Sequence, residues 1–353
     1  MQTTTPLVEI LFYIFGVCPQ HGCLQEIWAA FQQSGINSFC KCATHGKCQL
    51  RSTMGDVSGS PCQLWSQAGK RKRAQSPLII LLLVWCFWAR LARPLVLIHE
   101  NVKGFDKRFL QRFLGDLYQI VVLAVSPQDA NFTFSKRSRS YSVLYLTHAV
   151  RERCSIEATY ERVKEAFADR QVHVPASACF VASAEDVLQA ENRQRRRHRF
   201  SLRPHGLEAC PSQSPARAPE PGWAQFLTAN QLLVLKDYED EWWRQRMTPP
   251  ESDPDCVFDL SQTGHRKRMT CKKGQLPTTT TNSSRFWAPS LRRWLLPKEI
   301  AASQGFPVSP SLAAAAGVAT DCRCYTVGDI GNSMNVANVG CVQAVALACL
   351  SKV

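Results

Sequence analysis

The chain has 353 residues, 45% of them hydrophobic and 20% charged, which excludes a disordered polymer and allows one large or two modest globular domains. A formal net charge of +14 leads us to expect a polyanionic partner, although a basic balance alone establishes only non-specific attraction. Sixteen cysteines scattered along the chain form no compact disulfide framework, so reduced thiols in a soluble intracellular protein are expected.

The start, Met1-Gln-Thr-Thr-Thr, lacks the basic region of a signal peptide, and Leu7–Phe15 fits a buried strand or a helix equally well. Gln25–Phe31 reads as helical. Cys18, His21, Cys23, Cys40, Cys42, His45 and Cys48 invite comparison with a zinc site. Their spacing lacks paired Cys-x-x-Cys steps, so buried thiols and no metal are expected. At Gly59-Ser60-Pro61-Cys62-Gln63 a thiol stands in a tight loop. The apolar run Leu78–Ala89 is closed by Arg90 and Arg93 and is too short for a ~20-residue membrane crossing; a buried helix and no membrane partner are expected.

Pro94–Ile98 reads as a strand and ends in His99-Glu100-Asn101-Val102. Arg137-Ser138-Arg139 then leads into a second apolar run, Tyr141–Leu146. The alternation of loop, helix and strand from 56 to 146 predicts a parallel sheet. Open α/β sheets keep their chemistry at strand ends, which is where the thiol, the carboxyl and the arginines fall.

Ser155–Arg170 predicts an amphipathic helix, with Ser155 as N-cap and Ile156, Tyr160, Val163 and Phe167 on one face. A second helix is predicted over Ser183–Arg199, with Ser183-Ala-Glu-Asp as its capping signal. Its basic end, Arg193 to Arg199, fits a solvated helix terminus, a nuclear-import signal or a phosphate contact. Leu202–Gly222, rich in Pro, Ser and Ala, reads as a linker or exposed loop. Trp242 and Trp243 are expected to pack a small core, with base stacking as the other reading.

Taken in order, these segments resemble the blocks of the cytosine-5 DNA methyltransferases. Pro61-Cys62-Gln63 is similar to the catalytic-cysteine loop and Glu100-Asn101-Val102 to the Glu-Asn-Val block. Arg137-x-Arg139 resembles the Gln-x-Arg-x-Arg block, with Ser135 in the glutamine's place. Arg293-Trp-Leu-Leu-Pro-Lys-Glu299, with Gln304-Gly305-Phe306-Pro307 after it, is similar to the Arg-x-Leu-Thr-x-x-Glu…Gln-Gly-Phe-Pro block, with Leu296 for threonine. Gly331-Asn332-Ser333-Met334 resembles the last block. Five blocks in one order are far more specific than any single tripeptide.

The resemblance implies an α/β, Rossmann-like S-adenosylmethionine-dependent methyltransferase domain with an inserted, smaller target-recognition region. The implied activity is methyl transfer to carbon 5 of a flipped cytosine in DNA. Cys62 would be the nucleophile, its thiol activated by nearby cations such as Lys70 to Arg73. Glu100 would be the acid at ring nitrogen 3, its carboxyl kept protonated part of the time by burial. Arg137 and Arg139 would position the base. The resemblance also implies substrate contacts at Gln63, Ser66, Asn101, Arg293, Gln304 and Gly305, and cofactor contacts at Gly331, Asn332 and Ser333. Read without the family, Cys62 fits a small buried hydrophobe, Glu100 a salt-bridged strand end and Arg137-x-Arg139 a basic patch.

The family's Phe-x-Gly-x-Gly cofactor loop has no counterpart; Phe15-Gly16-Val17-Cys18-Pro19 is the nearest approach. A divergent N-terminus, a start lying upstream, a wrongly joined fragment over 1–55, a DNA-binding relative without activity and an RNA cytosine-5 methyltransferase all stay open. The division expected is 1–55 as a divergent N-terminal part, 56–200 as catalytic core, 201–285 as linker and recognition region, and 286–353 as blocks packing back on the core. The compartment expected is the nucleus in a eukaryote and the cytoplasm otherwise.

Overall fold

The computed structural model describes residues 39–42, 46–49, 53–66, 76, 78–132, 134–170, 174–201, 222–261, 268–270, 274–280, 285–316 and 326–353. The stretches Leu7–Phe15, Gln25–Phe31, Phe15–Pro19 and Lys70–Arg73, and the linker apart from Gly222, lie outside them. Of the cysteine-rich stretch only the hairpin β1 (Phe39–Cys42) and β2 (Gly46–Gln49) is described, as backbone. The chain divides into two compact units, the first of residues 1–125, 138–165 and 341–353 and the second of 126–137 and 166–340.

The first unit is built on a sheet in the order β3-β4-β6-β5: β3 (Gly55–Gly59), β4 (Val96–Asn101), β5 (Tyr118–Val125) and β6 (Arg139–Leu146). β3 and β4 are parallel, whereas β6 is antiparallel to both β4 and β5. The sheet is therefore mixed and not parallel as the sequence predicts. Apolar runs mark where strands lie but carry no direction, and β6 returns beside β5 to fill the place between β5 and β4. This is an α/β, Rossmann-like sheet with one antiparallel strand inserted.

Helix α1 (Ile79–Ala92) is apolar on every side, and Leu82, Leu83, Cys86 and Ala89 are fully buried. It ends where Arg93 turns into the left-handed region (φ 45°) ahead of Pro94, which cannot continue a helix. Arg90 in its last turn pairs with Asp116 and donates to the Phe113 carbonyl at 3.0 Å. Helix α2 (Arg108–Leu114) contributes Phe109, Leu110, Phe113 and Leu114 to the same core, which also holds Leu97, Leu144 and Leu146 of the sheet. Leu64 and Trp65, just beyond β3, belong to this core too. Complete burial of one such leucine contributes roughly 1.5–3 kcal/mol.

β7 (Val150–Glu152) leads into α3 (Ile156–Ala168), and the Ser155 hydroxyl caps it by accepting from Ala158 N–H at 3.1 Å. Ile156 and Tyr160 are buried, while Phe167 at the far end of the expected face is exposed.

In the second unit, α4 (Ala184–Ser201) carries a reciprocal cap between Ser183 and Asp186, at 3.1 and 3.0 Å. α5 (Ala229–Arg246) carries another between Thr228 and Gln231. A small antiparallel sheet in the order β10-β9-β8 follows: β8 (Phe258–Asp259), β9 (Phe286–Ala288) and β10 (Arg293–Trp294). Trp242 is 1% exposed in the core with Trp223, Tyr238, Phe258 and Trp294, but Trp243 is 48% exposed. Neighbours on a helix point about 100° apart, so one tryptophan of the pair faces inward and the other cannot. Short helices α6 (Pro297–Ala302), α7 (Pro310–Ala315) and α8 (Val327–Asn332) follow, then α9 (Val336–Cys349), whose end belongs to the first unit. There β11 (Leu350–Lys352) pairs antiparallel with β7. No helix among the described residues is long and apolar enough to cross a membrane.

Candidate active site

Strand direction brings three distant parts of the sequence to one edge of the first unit's sheet. β3 ends at Gly59 beside Glu100 of the parallel β4. β6 runs the opposite way, pairing Ser140 with Asn101, so its first residue, Arg139, stands at the same edge. Beyond β3 the chain makes a one-turn helix, Cys62–Leu64. It is closed by the N–H groups of Trp65 and Ser66, which donate to the Cys62 carbonyl at 3.0 and 2.8 Å. Leu64 and Trp65 anchor the turn in the core, leaving Cys62 and Ser66 half-buried and Gln63 exposed. Gly104 lets the loop after β4 close on it, since a Cβ there would stand 3.0 Å from the Trp65 carbonyl oxygen.

The Glu100 carboxyl meets the Arg139 guanidinium at 2.9 Å, with both side chains largely buried. The strand-end salt bridge, which the sequence leaves open for Glu100, is thus present, with Arg139 as its partner.

Two residues that the sequence reading did not single out hold the cysteine turn. The Ser60 hydroxyl is 2.9 Å from His99 Nε2 and 2.8 Å from Asn101 Nδ2, and Asn101 Nδ2 also donates to the Ser60 carbonyl at 3.3 Å. Asn101 Oδ1 in turn accepts from Val102 N–H at 2.8 Å. His99 is 1% exposed between the rings of Trp85 and Phe105, each 5.0 Å away, and burial pushes its pKa down to about 3. The neutral tautomer with Nε2–H toward Ser60 leaves only the Nδ1 lone pair without a partner among the described residues. The available signal was a histidine inside an otherwise apolar strand, opposite in pleat to Glu100.

The remaining expected site residues lie in the second unit. Arg137 is 3% exposed and braces backbone, donating to the carbonyls of Thr279 (3.1 Å), Gly331 (3.1 Å) and Ser333 (2.5 Å). Gln304, fully buried, reaches Thr279 Oγ1 at 3.4 Å and Ser135 Oγ at 3.5 Å. Arg137, Gln304 and the Gly331–Ser333 turn therefore gather around Thr279. Gly305 sits at φ 82°, where a Cβ would come 3.3 Å from that of Val336. Arg293 is clamped by Glu299 through two bonds of 2.7 and 2.8 Å, both groups buried, so its fork is turned inward. Asn332, at the end of α8, is exposed; an amide that both donates and accepts suits a ligand bearing carboxylate, amine and hydroxyl groups, as S-adenosylmethionine does.

No group of metal-ligating side chains occurs among the described residues. No curated protein sequence matches the chain. Solved structures similar to it include three methyltransferases. The S. pombe Dnmt2 methyltransferase is 18% identical over 83% of this chain and 78% of its own (TM-score 0.38). The Entamoeba histolytica methyltransferase EhMeth is 14% identical over 84% and 75% (TM-score 0.39). A putative DNA modification methyltransferase encoded within an E. coli prophage is 14% identical over 85% and 80% (TM-score 0.38). Residues 50–119 match the family model for C-5 cytosine-specific DNA methylase. That matched stretch carries Cys62, Glu100 and Asn101, and it is what the chain shares with the C-5 cytosine-specific DNA methylases.

Proposed function

We propose that the chain methylates carbon 5 of cytosine in DNA through a covalent adduct at Cys62. One observation carries the reading: the Cys62 turn, the Glu100 carboxyl and the Arg139 guanidinium share one edge of the sheet, with the last two in contact at 2.9 Å.

Carbon 5 of cytosine is a poor nucleophile. The Cys62 thiolate adds to carbon 6, forming a carbon–sulfur bond and moving the ring electrons toward carbon 5 and nitrogen 3. Glu100 stabilises nitrogen 3 by a hydrogen bond or proton, and Arg139 releases the carboxyl to take the cytosine carbonyl. Glu100 is 7% exposed, so a base reaches it only when flipped from the stack. Ser60, held by His99 and Asn101, keeps the turn in position. S-adenosylmethionine, the family's methyl donor, supplies the electrophilic methyl, and Gly331, Asn332 and Ser333 are the residues that the resemblance assigns to it. Once carbon 5 is methylated it loses its proton to a base, the carbon–sulfur bond breaks and the thiolate returns.

The test is adduct trapping: the full chain, S-adenosylmethionine and a 5-fluorocytosine oligonucleotide, in DNA and RNA arms, read on a denaturing gel. A DNA adduct that Cys62→Ser abolishes is expected. An adduct with RNA alone would move the substrate to RNA, and none with either would end the reading.

A further inference from the structure

The second unit holds a basic cleft of about 440 Å³ that the methyl-transfer chemistry leaves without a task. One wall is α4, which presents Arg193 and Arg197. The other runs from Arg285 through Trp294 to Lys298. Arg193 and Arg197 are four residues apart, so both leave the same face of α4, about 6 Å apart along the axis. Arg195, between them in sequence, is outside the lining and pairs with Glu191 at 2.6 Å.

Asp186 is the acidic residue of the lining, and Lys298 and the Ser183 N–H already engage its carboxylate at 3.1 and 3.0 Å. Arg193, Arg197 and Arg285 therefore set the sign of the cleft. All three are exposed, and Arg285 lies over the Trp294 ring at 5.4 Å, which gives the guanidinium a flat support.

We propose that this cleft grips the phosphodiester backbone of a nucleic acid. Guanidinium forks match phosphate oxygens two at a time, and the volume suits a nucleotide-sized group. Arg196, next to Arg197 on α4 and outside the lining, is exposed as well, so positive charge extends past the cleft, as a strand needs and a single small anion does not. Such a contact fixes register and adds affinity but reads no sequence. The anion chemistry stands on the cleft alone; the purpose of the contact rests on the nucleic-acid reading above.

The test is the salt dependence of binding to a short labelled DNA duplex by the full chain, measured by fluorescence anisotropy. Arg193→Gln/Arg197→Gln/Arg285→Gln is compared with a control of equal charge loss in the first unit, Arg151→Gln/Arg153→Gln/Arg162→Gln. The cleft variant is expected to bind at least tenfold more weakly at ~0.1 M salt, with the slope of log K against log salt shallower by about two to three. The control is expected to stay within about threefold, with its slope near that of the unaltered chain. Equal losses in both variants, or an unchanged slope in the cleft variant, would overturn the proposal. Tripolyphosphate tests the other source of the same chemistry: a thermal shift at micromolar concentration, absent from the cleft variant, would make this a small-anion pocket and overturn the backbone assignment. Adduct trapping on the same preparations separates the two readings, since trapping can fail while the salt slope stands, and the reverse.

Discussion

Glu100 and Arg139 face each other at 2.9 Å from adjacent strands that run in opposite directions, each side chain almost out of solvent. A buried pair of this kind adds little net stability, but removing one partner strands the other's charge. Arg139→Ala is therefore expected to cost about 3–5 kcal/mol in urea unfolding, while Glu100→Gln, which keeps a neutral acceptor, costs less. Both are expected to lower adduct trapping. An Arg139→Ala chain as stable as the unaltered one would show that the pair is solvated in solution.

His99 gives stability a dependence on pH. Its folded pKa, about 3, lies below the ordinary value of 6.5, so the unfolded chain binds the extra proton. The contribution is present in full above about pH 6.5 and is lost as pH falls toward 3. The expected slope approaches about 1.4 kcal/mol per pH unit for one proton. His99→Gln, which retains a donor toward Ser60, is expected to remove that slope and leave the Cys62 turn held. Urea midpoints between pH 7 and 5 that move alike in both proteins would dismiss His99 as the group responsible.

Where local chemistry decides the structure, the sequence was legible. Ser155 caps its helix, Ser183 and Asp186 cap the next, and the apolar run Leu78–Ala89 forms a helix that ends before Pro94, buried on one side while Leu81 and Val84 stay exposed. Strand direction was not legible, because the apolar run Tyr141–Leu146 is compatible with either, and direction is what brings Arg139 to the Glu100 end. The Ser60–His99 contact was equally hidden, joining residues far apart in sequence through one hydroxyl. Arg137 and Arg139 look alike in sequence, yet one braces carbonyls of the second unit and the other pairs with Glu100 in the first. Trp242 and Trp243 differ for a simpler reason, the turn of the helix between them.

The resemblance gives Arg293 a substrate contact, and in the structure its fork closes on Glu299, itself fully buried and also accepting from Leu296 N–H at 2.8 Å. Arg293→Lys keeps the charge but not the two-bond geometry. It is expected to destabilise the chain by roughly 1–3 kcal/mol and leave the affinity of the folded chain for DNA unchanged. A loss of DNA affinity with unaltered stability would instead assign Arg293 to substrate.

Glu239 on α5 works in the sense opposite to His99. Burial first, then the neighbouring charges of Glu251 and Asp240, push its pKa up from 4.5 to about 7. The folded chain holds the proton more tightly than the unfolded one. Its contribution is therefore complete below about pH 4.5 and is lost as pH rises through 7. The side chain is partly solvated, so screening reduces the effect to on the order of 1 kcal/mol. Glu239→Gln is expected to raise stability by that amount at pH 8 and leave it unchanged near pH 4.5. With His99 weakening the fold from the acid side and Glu239 from the basic side, maximal stability is expected near pH 6. Urea midpoints of the single variants, taken at pH 5, 6 and 8, separate the two contributions. A Glu239→Gln chain no more stable than the unaltered chain at pH 8 would mean that solvent reaches the carboxylate.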